Sequence, residues 1–312
     1  KGNDMIDIKL QLPDGFLNEE ERCGYKISSK MKEVWAIQLD LLVEFDRVCK
    51  KYGIKYFASG GTMLGAVRHK GYIPWDDDID LMMMRSEYNK LCKIGAKAFS
   101  HPYFFQTEYT DNGSLRGHAQ LRNSLTTAIL RTEKDMKYSF NQGIFIDIFP
   151  LDAVTEDEQA FQKQYKRVYS LRKKIYRYAG LTTRYHEPDN MTLKLKIKAI
   201  IHKFGGAVIS KCFSPTKYYK MFEGECQRYN SQDTKMISTL SFQFNNKQHF
   251  KYREDYSELI EVPFEFITIP IGKNYDHALT VRYGNYKEFV VGTSCHGDVI
   301  LDTDVPYTEY LK

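Results

Sequence analysis

No two of the six cysteines, at positions 23, 49, 92, 212, 226 and 295, stand at C-x-x-C spacing, and no histidine stands at metal-finger spacing. That argues against a zinc module and for free thiols in a reducing compartment. The chain has no 18-residue uncharged apolar stretch, and its first ten residues show neither the basic-then-apolar order nor the small-residue cleavage site of a signal peptide. A soluble, cytoplasmic protein is the expectation. Neither a Walker A loop nor a G-x-G-x-x-G turn occurs, so P-loop and dinucleotide-binding readings fall away, and there is no internal repeat or low-complexity tract. An excess of one charge sign is also missing: 45 Lys and Arg against 40 Asp and Glu leave a net charge of +5. Such a balance permits anionic substrates or surfaces but does not by itself imply nucleic acid, and the basic residues interleave with acids.

What is present is enough apolar material for a sizeable core: 42% hydrophobic residues over 312 positions, with 23 Tyr and 19 Phe. At ~150 residues per domain the length suggests about two domains. Residues 1 to 27 read as an irregular lead-in. Val34, Ile37, Leu41, Phe45 and Val48 recur at three- and four-residue steps, which predicts a helix over 29 to 50 capped by Ser28 or Ser29 and stopped by Gly53. Strands are expected at 54 to 58, 79 to 84, 104 to 109, 115 to 130 and 144 to 149, the last closed by Pro150. Short and long helices are expected at 62 to 69, 85 to 99 and 156 to 179. The reading is an α+β (mixed α/β) fold on a small sheet flanked by helices, with a lead-in at 1–27, a core at 28–152, and a mostly helical region at 153–312.

Two basic stretches stand out. Lys163, Lys166, Arg167, Arg172, Lys173, Lys174 and Arg177 lie on the long helix, where a solvated face and a platform for a phosphate-bearing substrate are both open. The stretch 193 to 213 alternates lysines with apolar residues and could pack on its own protein or lie on an anionic membrane.

Chemistry concentrates between Phe57 and Leu81. Asp76, Asp77, Asp78 and Asp80 sit within five residues, and like charges so close need cations or abundant water. Asp78 and Asp80 alternate with Ile79 and Leu81; on a strand that period sends both carboxylates to one face and both apolar residues to the core. Two hard oxygen ligands side by side suit Mg²⁺, or Mn²⁺, held with water and substrate phosphates. Asp147 interrupts an apolar strand, and its simplest compensation is a cation shared with Asp78 and Asp80, a buried Arg or Lys being the alternative. At Ser59-Gly60-Gly61 the missing side chains let backbone N–H groups approach a phosphate, and a helix from Thr62 adds its positive end. Arg122 could clamp phosphate through its fork, Arg68 and His69 could meet phosphate from the short helix, and Trp75 with Tyr72 could cover a nucleotide or a quaternary ammonium; core packing competes for each aromatic.

Taken together, the turn at Gly60 to Leu64, the His69-Lys-Gly-Tyr-Ile-Pro-Trp-Asp-Asp-Asp-Ile-Asp80 block, Leu121-Arg-Asn-Ser124 and the Gly143-to-Asp152 run resemble the LicD family. This is the phosphocholine-transferase-like branch of the DNA polymerase β-type nucleotidyltransferase superfamily. Arg282-Tyr283-Gly-Asn-Tyr286 is similar to the family's late Tyr-Gly-Asp-Tyr element, with Asn285 departing at the acidic position. The resemblance implies a nucleotidyltransferase-like core and a Mg²⁺-dependent transferase. Its donor would be CDP-choline or a related CDP-alcohol, and its acceptor a surface glycan such as teichoic acid, lipopolysaccharide or capsule, lipid-linked acceptors included. Asp78, Asp80 and Asp147 would carry metal and catalysis, and Ser59, Gly60, Gly61, Thr62, Arg68, His69, Trp75 and Arg122 the donor. Two rivals share these residues: a nucleotidyltransferase moving NMP to a small molecule, and a non-enzymatic binding protein on an inactive transferase fold. Peripheral contact with the inner face of the membrane would fit the basic helices.

Overall fold

A computed structural model describes residues 5–130, 138–182, 215–242, 249–290 and 299–311, with single positions at 133, 193, 197, 200, 204 and 292. A hairpin of β1 (Glu20–Arg22) and β2 (Tyr25–Ile27) leads into α1 (Ser29–Tyr52). The Ser28 side chain accepts from Met31 N at 3.2 Å, and Gly53 ends the helix in the left-handed region at φ 61°. Both ends therefore follow local chemistry. One face of α1 carries Trp35, Ile37, Leu41, Phe45 and Val48, all 0% exposed. At roughly 1.5–3 kcal/mol for each fully buried large apolar side chain, that face is a major source of stability.

The central sheet follows from alternating apolar residues. Strand β3 (Phe57–Ala58) pairs antiparallel with β4 (Asp80–Met84), and helix α2 (Gly60–His69) fills the connection between them. After α3 (Arg85–Ala98), β5 (Tyr103–Gln106) pairs with β6 (Ala119–Asn123), and β7 (Thr127–Ile129) follows a turn. The single strand expected over 115 to 130 is thus two, divided where Thr126 N donates to Asn123 O. The long β8 (Ile144–Val154) runs parallel to β4 and antiparallel to β6. Leu81, Met83, Ile146 and Ile148 join the large core with α1, while Phe57, Met82 and Phe149 form a separate cluster on the other face.

Strand β8 does not stop at Pro150. Asp147 N donates to Ile79 O on the β4 side, so by alternation residue 150 turns its missing N–H to the opposite edge. There β6 has ended opposite Ile148, and β9 (Met236–Ser238) begins only opposite Asp152. Proline costs no ladder bond at this gap.

Downstream, α4 (Glu158–Thr182) packs on α5 (Pro215–Cys226) through Phe161, Val168, Leu171, Tyr219 and Phe222. Lys163, Lys166, Arg167, Lys173 and Lys174 are exposed, and Arg172 donates to Phe242 O at 3.1 Å. The side chain of Arg177 lies outside the described residues. So do the loop at 183–192 and most of the amphipathic stretch; its described members Leu193, Ile197, Ile200 and Phe204 are helical and 51–76% exposed.

The expectation of a largely helical C-terminal addition is corrected. Besides β9, the described residues there include β10 (Lys251–Tyr252), which extends the central sheet, and a hairpin of β11 (Leu259–Phe264) and β12 (Ile267–Gly272). They also include α6 (Tyr275–Tyr283) and β13 (Ile300–Asp302), which pairs with β7. Ile267, Ile269 and Ile271 alternate with Thr268 and Pro270, a period of two that suits a half-buried strand rather than a helix. At the hairpin tip Glu265 accepts both Arg22 NH groups, at 2.6 and 2.8 Å, and Tyr72 N at 3.0 Å, bracing the segment that enters the acidic run.

Candidate active site

The turn before α2 is built around carboxylates. Gly60 adopts φ +59°, and a Cβ placed on it would lie 3.3 Å from Asp80 Oδ2; one on Gly61 would lie 2.7 Å from Asp76 Oδ2. Glycine supplies both the left-handed backbone and the room for that approach. Ser59 N donates to Asp80 O at 3.2 Å, and Asp80 N donates to Thr62 Oγ1 at 2.8 Å, so the turn and the start of β4 are laced together.

Asp80 and Asp147 are register partners on the parallel β4–β8 ladder. Neighbouring strands lie roughly 4.8 Å apart, so the two backbone positions are adjacent although 67 residues separate them. Asp76, Asp77 and Asp78 each offer an oxygen within 4.8 Å of the others'. Their backbone is held from α1: Trp35 Nε1 donates to Asp76 O at 3.1 Å and Gln38 Nε2 to Asp77 O at 2.7 Å. Burial, then the charges of Asp80, Asp76, Asp147 and Asp77, push the Asp78 carboxyl well above its ordinary range. Partly buried carboxylates this close repel one another, and a hard divalent cation bound through oxygen would satisfy them. The residues therefore fit a Mg²⁺-type ion.

Behind Asp147 stands a row of donors. Gln120 Nε2 donates to Asp147 Oδ1 at 2.6 Å, and His118 Nε2 lies 3.0 Å from the same oxygen. Arg122, 0% exposed, donates to Gln120 Oε1, Gln106 Oε1 and Gly143 O at 2.5, 2.7 and 2.7 Å. Its guanidinium is thus engaged in orienting Gln120 and closing β6 on β8. Gln120 and Arg122 alternate along β6, and His118, just before it, continues the same period of two, a signal present in the sequence.

Three further expected donor contacts sit together elsewhere. Arg68 donates to Tyr286 O and Glu288 O, each at 3.0 Å, and to His69 Nε2 at 3.0 Å, tying α2 to the segment after α6. Burial, with Arg68 and Arg22 nearby, lowers the His69 imidazole to about 4. Trp75 meets His69 and Tyr25 edge-on at 6.5 and 6.0 Å. Tyr72 is a core residue, stacked on Trp35 at 4.4 Å and donating to Gln38 Oε1 at 3.0 Å. Asn285 is exposed, with its amide 3.4 Å from Glu288 Oε2.

Positive charge beside the acids comes from Lys251, which has no local sequence signal, and from Arg282, which opens the Tyr283-Gly-Asn-Tyr286 element. Lys251 and Arg282 line a cleft with Ser59, Gly60 and Tyr283. Burial and Arg282 lower the Lys251 ammonium to about 8, and Asp80 opposes that shift. A larger groove of about 1330 Å³ shares Tyr252 and Tyr256 with this cleft and reaches Phe57 and Met84. Met84 alternates along β4 with Met82 and Asp80, so groove and acids lie on one face of the sheet.

A mixed sheet flanked by helices, a glycine turn, the Asp76–Asp78 carboxylate cluster and the register pair Asp80 and Asp147 fit a nucleotidyltransferase-like core. Residues 53–178 match the family model described as LicD/FKTN/FKRP, nucleotidyltransferase domain. Residues 53–178 thus form a LicD-family nucleotidyltransferase domain by that match. It is 27% identical over 269 residues to the lipopolysaccharide cholinephosphotransferase LicD of Haemophilus influenzae, covering 83% of this chain and 91% of that protein. An uncharacterized protein of Rickettsia prowazekii is 31% identical over 151 residues, 48% of this chain and 53% of that one. The ribitol 5-phosphate transferase FKRP of Mus musculus is 32% identical over 82 residues, 22% of this chain and 17% of its own length.

Proposed function

We propose that this protein transfers a phospho-alcohol from a CDP-activated donor, phosphocholine from CDP-choline being the leading case, to a hydroxyl of a cell-surface glycan, releasing CMP. The observation that carries the reading is the pairing of Asp80 with Asp147 across the β4–β8 ladder, beside the Gly60–Gly61 turn. The relative aligned over most of the chain bears the name of such a transferase.

Asp78, Asp80 and Asp147 would hold Mg²⁺ or Mn²⁺, with Asp76 and Asp77 adjoining. The ion supplies neutralisation of charge developing on the transferred phosphoryl group. Gly60 and Gly61 offer backbone N–H groups at the start of α2, where an anion is favoured. Asp147, its Oδ1 fixed by Gln120 and His118, receives the acceptor hydroxyl's proton as oxygen attacks the phosphorus next to the alcohol and the bond to CMP breaks. The groove between Met84 and Tyr252 offers the acceptor a path along the same sheet face, with Glu156, Asp233 and Lys235 of the region 153–312 completing this side.

Incubation with a panel of CDP-alcohols and Mg²⁺, with and without candidate glycans, tests the reading by product mass. CMP with phospho-alcohol on the glycan is the expected outcome, and diphosphate as product would sink it in favour of nucleotidyl transfer. No described helix is long and apolar enough to cross a membrane. Peripheral contact through the stretch containing Leu193, Ile197, Ile200 and Phe204 is proposed, and protein that stays at the bottom of a flotation gradient with anionic liposomes would count against it.

A further inference from the structure

We infer that the groove between Met84 and Tyr252 is a subsite for uncharged sugar units of the acceptor, with Tyr252 as the surface on which a sugar ring stacks. The inference rests on the transfer reading and deepens it by naming the acceptor's chemistry: a polyhydroxyl chain without phosphate or carboxylate on the units that enter this groove.

Asp80, Met82 and Met84 alternate along β4 and so share a face, and at ~3.3 Å per residue Met84 lies roughly 13 Å along the strand from Asp80. Phe57, Met82 and Tyr256 form an apolar cluster on this face, with Phe57 stacked on Tyr256 at 4.4 Å. Tyr252 and Tyr256 line both the groove and the cleft that contains Ser59 and Gly60, so the two spaces adjoin. The groove's volume of about 1330 Å³ exceeds the roughly 300–1,000 Å³ of sites for a drug-sized molecule, which leaves room for several linked sugar rings.

Tyr252 is 37% exposed, yet its ring is braced from behind the groove. The His277 ring lies 5.1 Å from it, and His277 Nδ1 is 2.9 Å from each oxygen of Asp255, which is 2% exposed. A buried carboxylate thus anchors an exposed aromatic through one intermediary, which fixes the ring before anything binds. A tyrosine face gives apolar contact to the C–H face of a sugar ring and leaves the sugar's hydroxyls at the rim. Charge decides which sugars fit. Of the carboxylates lining the groove, Glu87 is paired with Lys90 and Glu258 with Lys273, each at 2.6 Å. Those that remain, Glu156, Asp233 and Glu254, are matched by the cations Lys55, Lys235 and Arg253. Arg253 in turn donates to Thr234 O and Oγ1 at 2.8 and 3.1 Å. Three of each sign leave no net field to gather a polyanion, and the carboxylates repel one that enters. For hydroxyls the same wall is well supplied, with acceptors on the acids and donors on the lysines.

The test is saturation-transfer NMR on the full chain, without donor or metal, using a panel of uncharged tetrasaccharides built from hexoses and N-acetylhexosamines and, as the charged probe, poly(glycerol phosphate) of similar length. The expected result is transfer to the ring C–H protons of a tetrasaccharide, with Kd rising about 10-fold in Tyr252→Ala and recovering in Tyr252→Phe, which keeps the ring. Asp233→Lys, at a position that lines the groove and not the cleft, should tighten poly(glycerol phosphate) binding without tightening that of the tetrasaccharide. Thermal melts establish that each variant is folded. A parent that takes up no tetrasaccharide, or binds poly(glycerol phosphate) more tightly, would overturn the subsite, and so would an unchanged Kd in Tyr252→Ala. Failure of the transfer reading is distinct: it shows as no CMP release from CDP-alcohols by a protein that still binds the tetrasaccharide.

Discussion

Two buried carboxylates on β8, five residues apart, keep opposite company. Asp152, 0% exposed, receives Arg85 through both oxygens at 2.8 and 2.6 Å and Asn230 Nδ2 at 2.8 Å. Asp147, 7% exposed, has Gln120 and His118 at one oxygen and feels the charge of Asp78, with Asp80 its register partner. The first arrangement is electrostatically closed and joins β8 to α3 and, through Glu223 at 3.6 Å from Arg85, to α5. The second is a concentration of like charge that folding alone would not favour, which marks it as a place prepared for something bound.

The largest effect expected is at the unbalanced end. Asp80→Asn should lower CMP release at least ~10³-fold, since several kcal/mol of charge stabilisation depend on the ligands, without lowering the melting temperature in chelator. Retained turnover would remove the basis for contrasting the two ends. At the balanced end, Arg85→Met should cost about 3–5 kcal/mol in urea unfolding, because it leaves the Asp152 charge buried and unmatched. Adding Asp152→Leu should restore most of that loss, and no restoration would mean that packing rather than charge holds the node.

A smaller effect separates the ends thermally. Relief of repulsion in Asp78→Asn should raise stability in chelator by on the order of 1 kcal/mol, and Mg²⁺ should stabilise the parent more than this variant. An equal Mg²⁺ response from both would remove Asp78 from the metal set. The smallest effect concerns His69. Its imidazole is lowered from 6.5 to about 4, so the unfolded chain binds the extra proton between those values. Stability from this group is full above pH 6.5 and falls as the pH drops toward 4. His69→Gln should flatten that part of the stability–pH curve, and an unchanged slope would show that the ring is not desolvated.

Much of the acidic centre was legible because its signals are local. The alternation of Asp78 and Asp80 with Ile79 and Leu81 predicts a strand with one charged face, of which β4 takes in Asp80 while Asp78 lies just before it, and Ser59-Gly60-Gly61 predicts the turn before it. Pro150 misled because a proline's effect on a strand depends on which neighbour faces its nitrogen, here a gap between β6 and β9. Arg122 misled for a related reason: an arginine on a strand reads as available until Gln106, Gln120 and Gly143 are seen to enclose it.

The order of residues was sufficient for the α1 stripe, its caps, the glycine turn and the acidic run, since each depends on spacings of a few positions along one backbone. Contacts across long stretches of chain required the folded molecule. Asp147 reaches Asp80 through strand register, and Lys251 and Arg282 reach Gly60 because β10 extends the sheet and α6 packs beside it. Charges distant in sequence interact according to their separation in space and the water excluded between them, and both quantities arise only when the sheet has assembled.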